Sequence, residues 1–285
     1  MFTSLSPGAI GIRANLEESL ALARETGFQG VNPNIGEAAD LADKHGLQYI
    51  RDLFARHGLR AADWGLPLDF RRDEARWRDG LKALPRLAKV AQALGWQRTA
   101  TWILPFSDEL PFDENMRFHV SRLRPIAEIL KEHGISFGLE YVGPATLRAG
   151  HKYTFIHNMA GWQQLREAIG TENIGLLLDS FHWYVSGGTL AELGKLCNED
   201  IVTVHLNDAI AGLSRDEQLD QVRALPGETG VIDLTGFLKT LQRIGYNGPL
   251  VVEPFSKRLK EMAPRDAARE TAESLRRLFA AAGIK

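Results

Sequence analysis

The sequence predicts an α/β fold, a single (β/α)8 barrel spanning residues 1–285. Three observations carry this reading. Short β-prone runs alternate with longer amphipathic stretches from end to end, with no Pro/Ser-rich linker or charge block between them. Runs such as IGLLL and LVV are continuously apolar, as strands covered on both faces of a parallel sheet are. No GxGxxG follows the first predicted strand and no P-loop occurs, which disfavours an open doubly wound sheet. Barrels of about 250 residues form one domain, so the length of 285 fits a single unit.

The predicted strands are 8–12 (GAIGI), 28–32 (FQGVN), 59–65 (LRAADWG), 98–104 (RTATWIL), 135–141 (ISFGLEY), 174–179 (IGLLLD), 201–206 (IVTVHL) and 249–253 (PLVVE). The first helix covers 15–26, where Leu16, Leu20 and Ala23 recur at spacings of four and three. Asn15 is placed to cap it and Gly27 to stop it. Residues 77–94, 117–133, 159–169, 190–196 and 234–244 repeat the pattern, most with a glycine near the end. Residues 264–282 form the last helix, with Pro264 suited to a first turn.

Composition narrows the function. With 44% hydrophobic residues and a formal charge of −2, from 34 basic and 36 acidic side chains, the chain is neither disordered nor built to wrap nucleic acid. Cys197 is the one cysteine, so no internal disulfide exists and a reducing compartment is expected. It falls in a helix tail and reads as a core residue. The start lacks a leader pattern and no run reaches the ~18 apolar residues of a membrane span. The expectation is a cytoplasmic protein with no membrane and no nucleic-acid partner.

Barrel chemistry sits where strands end. The last four predicted strands end at Glu140 (GLEYVG), Asp179 (LLLDSFHWY), His205 (VTVHLND) and Glu253 (VVEPF). One acidic strand end serves more often as a helix cap or a surface group. Four such groups on four consecutive strands form a set. Three carboxylates at one mouth repel, and no Lys or Arg lies within these motifs to offset them. One divalent cation held by Glu140, Asp179, His205 and Glu253 resolves the conflict. The oxygen-rich set favours Mn²⁺ or Mg²⁺, with Co²⁺ or Zn²⁺ also compatible.

The stretch 138–255, through GLEYVGP, GLLLDSFHWYVSGG, VTVHLNDA, RALPGETGVID and GYNGPLVVEPF, resembles the xylose isomerase-like superfamily of sugar and sugar-phosphate isomerases and epimerases. SLSPGAIGI, ETGFQGVN and PFSDE match it more loosely. The resemblance implies the same four metal ligands, with Mn²⁺ the expected ion. It further implies that Glu140 and Glu253 are the acid/base pair of a proton transfer beside a carbonyl, through an enediolate. His182 and Arg223 correspond to residues that reach the substrate, a small sugar or sugar phosphate. His182 as an orienting partner, and Arg223 as a loop ion pair with Glu217 or Asp220, are the plainer readings. A homo-oligomer, dimer or tetramer, is also implied. The family's ketohexose 3-epimerases carry a further glutamate soon after the fifth-strand ligand. YVGPATLRAG has none, which argues against that specific substrate.

Trp102, Trp64 and Trp183 fall near strand ends, where an indole can wall a sugar's C–H face, although core packing is expected of at least one. His119 lies in a helical pattern and reads as a surface residue. The loop HKYTFIHN, with His151 and His157, is a candidate cover for the pocket, and Arg148 and Lys152 are candidate phosphate contacts. Three rival functions share the barrel. A lyase of the inosose dehydratase kind begins with the same proton abstraction. An apurinic endonuclease of type IV needs added histidines where this chain reads AADWGLP, TWILPF and LDQVRALPG. A non-catalytic sugar-binding barrel would not need the intact ligand set.

Overall fold

The computed structural model describes residues 1–71 and 73–284. Parallel strands curl into a (β/α)8 barrel, each facing helices outside. In order, the barrel strands are Phe2–Leu5, Gly30–Val31, a split third strand (Arg60–Ala61 and Trp64–Gly65), Arg98–Ile103, Ser136–Tyr141, Ile174–Asp179, Ile201–Leu206 and Pro249–Val252. The first strand pairs with both the second and the eighth. Arg60–Ala61 pairs with the second strand and Trp64–Gly65 with the fourth. The hydrogen-bonded row therefore ends on either side of residues 62–63, and the chain itself closes the ring there.

Strands four to eight and the helices after them match the periodicity closely. Met159–Ile169 and Pro264–Ala282 have the predicted bounds. Asn15 caps Leu16–Thr26 through the backbone N–H of Glu18, whose carboxylate answers the N–H of Asn15, and Gly27 ends it at φ 87°.

The N-terminal third departs from the prediction. GAIGI is not the first strand: Gly8–Ile10 is a 3-10 turn, and the strand is the preceding FTSL. Gly11 adopts φ 83°, and an added Cβ would lie 2.4 Å from Lys260 Cγ, so an extended run cannot continue through it. Two helices, Ile35–His45 and Leu47–His57, occupy a stretch to which the pattern assigns no element. Cys197 is exposed rather than in the core, and its thiol lies 3.1 Å from the Asp200 carboxylate.

His119 is a further correction. It is buried, its Nδ1 2.8 Å from the Asn115 carbonyl, among the rings of Phe70, Phe118 and Phe155. Burial pulls its pKa from 6.5 to about 4; the Asn115 carbonyl opposes this and Arg71 adds to it. Because the folded value lies below the unfolded one, this contribution is complete above pH 6.5 and lost as pH falls through about 4. The shift corresponds to about 3 kcal/mol. His119→Phe is expected to flatten the fall of Tm between pH 6.5 and 4 in thermal melts. An unchanged slope would exclude His119 as a source of acid lability.

Candidate active site at the mouth of the barrel

Register brings the strand-end groups to one level. His205 pairs with Asp179 across the sixth and seventh strands, and Trp102 with Glu140 across the fourth and fifth. Ligand atoms of Glu140, Asp179 and His205 lie within 4.8 Å of one another. Glu253 stands just beyond this trio, with Oε2 3.3 Å from His205 Nδ1.

Asp179 is held by four donors. Oδ1 accepts from the N–H of Phe181 (2.6 Å) and His182 (3.1 Å), capping the short helix Ser180–Val185. Oδ2 accepts from Asn207 Nδ2 and Arg223 Nη1, both at 2.9 Å. Asn207 also accepts the N–H of Glu253 at 2.9 Å, tying strands six and eight to one side chain. Arg223 is thus buried inside the cluster, paired with Asp179 and Asp220 at 2.9 Å and 3.8 Å from Glu253. It comes from outside the four motifs, so the acids are not left without a cationic neighbour as the motifs alone suggest. The rings of Phe181 and Phe255 lie 4.8 and 4.7 Å from its guanidinium carbon. Phe255 takes φ 47°, a costly conformation for a bulky residue, directly after Glu253 and Pro254.

His182 is buried beside this network. The N–H of Gly143 points to its Nδ1 at 3.3 Å. Gly143 is required there, since an added Cβ would lie 2.6 Å from the His182 carbonyl. Its Nε2 faces the donor Arg223 Nη2 at 3.2 Å and lies 3.8 Å from Glu140 and 3.7 Å from Asp220. Burial lowers the His182 pKa to about 3; Asp179 opposes this, while Arg223 and His205 add to it. The ring is therefore uncharged at neutral pH.

Glu140 Oε1 and His205 Nδ1 are buried with no hydrogen-bond partner among the described residues. Burial, with the Asp179 and Glu253 charges, pushes the Glu140 pKa well up against the pull of His205 and Arg223. Burial alone would lower the His205 pKa, but Glu253, Glu140 and Asp179 carry it to about 10. Two buried ligand atoms without a hydrogen bond, beside the Asp179 and Glu253 carboxylates, fit a hard divalent ion. Such an ion would be shared between Glu140, Asp179 and His205, with Glu253 at its edge.

These groups open into a cavity of about 910 Å³. Trp102, 43% exposed, forms part of its wall, and the Arg71 guanidinium stacks on its indole at 3.8 Å. Trp64 and Trp183 are instead buried in the core. His151 and Arg148 are engaged elsewhere. His151 pairs with Asp108 (2.9 Å) and stacks on Phe106, in the ribbon formed by Phe106–Ser107 and Tyr153–Thr154. Arg148 donates to the carbonyls of Gly143 and Pro144. Asp220 is the loop partner of Arg223 that the sequence offered, whereas Asn207, Arg71 and Asp63 escape the sequence argument. For Asp63 a signal existed, since AADWG also places an acid at a strand end.

The fold and mouth define an α/β barrel with a cation-ready acidic centre. The chain belongs to the xylose isomerase-like TIM barrel family, whose model matches residues 20–278. It is 33% identical to a xylose isomerase domain protein from Alicyclobacillus acidocaldarius, covering 99% of both chains with a TM-score of 0.88. The zinc-bound IOLI protein superposes with a TM-score of 0.79 at 19% identity, covering 99% of each chain. Among curated relatives, the inosose isomerase of Halalkalibacterium halodurans is 24% identical over 89% of this chain and 88% of its own. The 3-dehydroshikimate dehydratase of Pseudomonas aeruginosa is 31% identical over 54% of this chain and 23% of its own. The two curated relatives are enzymes. Among the described residues, no helix is long and apolar enough to cross a membrane.

Proposed function

We propose that the protein is a divalent-metal-dependent isomerase or epimerase that moves a proton beside the carbonyl of a ketose or polyol-derived ketone. One observation carries this: Glu140, Asp179 and His205 converge within 4.8 Å, Glu140 Oε1 and His205 Nδ1 make no hydrogen bond among the described residues, and Glu253 stands at 3.3 Å from the same imidazole. A bound ion, for which the oxygen-rich donor set favours Mn²⁺ or Mg²⁺, would supply Lewis acidity at the carbonyl and acidify the adjacent C–H. Glu140 and Glu253 are the proton-transfer pair, one removing the proton and the other returning it. Neutral His182 borders the cavity, with its Nε2 beside the Arg223 guanidinium. Trp102 walls the apolar face of the sugar, and Arg223 holds Asp179 in place while facing developing negative charge.

The test is deuterium incorporation from heavy water, followed by mass spectrometry over a panel of ketoses and inososes with Mn²⁺ added. Exchange at a carbon adjacent to the carbonyl is expected for at least one of them. Binding without exchange would leave only a sugar-binding barrel. His205→Ala is expected to weaken metal affinity at least tenfold, and stoichiometric metal in that variant after dialysis would remove His205 from the ligand set. The dehydratase relative favours a second reading, in which the same abstraction is followed by loss of a hydroxyl. Release of an unsaturated product would select it.

A further inference from the structure

We infer that the pocket takes an electrically neutral polyhydroxylated ketone, and that Asp63 accepts a hydrogen bond from one of its hydroxyls. This rests on the proton-transfer reading and narrows its substrate.

Asp63 lies between the two pieces of the third strand, across the barrel from the metal-ligand candidates, and its side chain lines the cavity. The residue is 5% exposed. Oδ1 accepts from Asn32 Nδ2 at 3.0 Å and Thr203 Oγ1 at 2.6 Å. Among the described residues none donates to Oδ2. Asn32 is itself fixed, receiving the hydroxyl of Ser4 at 2.7 Å and donating also to the Asp63 carbonyl at 3.0 Å. The carboxylate is thus aimed from a rigid frame with one oxygen unspent, and a ligand hydroxyl supplies the donor it lacks.

The charge of the wall selects against anions. Asp63, Glu140, Asp220 and Glu253 all face the cavity. Arg223 is the one Lys or Arg among the described residues that line it, and its three nitrogens are engaged by the Asp220 carbonyl, Asp179 and Asp220. Even with a divalent ion in place, a formal surplus of negative charge remains. Arg71, stacked on the Trp102 indole, gives its terminal nitrogens to Asp69, Thr101 and the Trp102 carbonyl, so no described guanidinium terminus at the wall is left to meet a phosphate or carboxylate. Hydroxyls, which donate as well as accept, match such a wall.

The experiment is isothermal titration of the Mn²⁺-loaded full chain with three probes: an inosose, a ketose phosphate and 3-dehydroshikimate. The inosose is expected to bind at least tenfold tighter than either anion. Asp63→Asn, which keeps the shape and the Oδ1 frame, is expected to weaken inosose binding at least ~10-fold without weakening the anions. Tighter binding of either anion by the wild-type chain, or no binding of the inosose, would overturn the inference whether or not the variant folds. Inosose affinity undiminished in Asp63→Asn would overturn the role of Asp63. Deuterium incorporation, scored separately, keeps the two readings apart. Selective inosose binding with no exchange defeats the proton-transfer chemistry and leaves the selectivity standing. Exchange confined to the ketose phosphate does the reverse.

Discussion

Glu140→Gln and Glu253→Gln are each expected to lower turnover at least ~10²-fold while leaving the barrel folded. Glutamine preserves shape and a hydrogen-bonding oxygen but cannot take or return a proton. The Glu140 variant separates the two roles best. Its Oε1 has no hydrogen-bond partner among the described residues, so the substitution breaks no hydrogen bond at that oxygen. In the metal-free protein it removes a buried carboxyl for which ionisation is already unfavourable, so its melting temperature should stay near wild type or rise. Isotope exchange and circular dichroism on the same sample decide the matter. Near-wild-type exchange in either variant would remove that glutamate from the proton-transfer pair.

The second large effect is on stability. Arg223→Ala is expected to lower the unfolding free energy by about 3–5 kcal/mol, the scale for removing one partner of a buried ion pair. The side chain is 1% exposed and is the shared partner of Asp179 and Asp220. Its loss leaves Asp179, Asp220 and Glu253 crowded together with a cavity between two aromatic rings. Saturating Mn²⁺ should recover part of the deficit, because a cation beside Asp179 supplies charge where the guanidinium stood. Denaturant titration in chelator and in Mn²⁺ measures both. A loss below ~1 kcal/mol, typical of exposed pairs, would show that Arg223 is solvated rather than structural.

Much of this was legible in the residues. The fifth to eighth strands are mainly apolar runs, each with a carboxylate or imidazole at or beside its end, the pattern expected of buried parallel strands that deliver a site. Glu140, Asp179, His205 and Glu253 could therefore be placed by counting strand ends. The first strand could not, because FTSL is four residues long with two hydroxyl side chains, whereas GAIGI looks more strand-like yet turns at Gly11. Asn207 was hidden for another reason. It matters only through Asp179 and Glu253, partners far away in sequence, which spacing does not reveal. Asp63 was overlooked because the run 59–65 reads as one strand with Asp63 inside it, whereas the strand breaks there into two pieces of two residues each.

That broken third strand gives the cylinder a clasp. At residues 62–63 the staves are not laced continuously from edge to edge; the side chains of Asn32 and Thr203 bridge the gap by gripping Asp63. Anything that fastens onto Asp63 from inside pulls on the buckle itself. A ligand held by Asp63 would load the same contacts that span the gap, and slower backbone amide exchange in the second and third strands on ligand binding is the expected result.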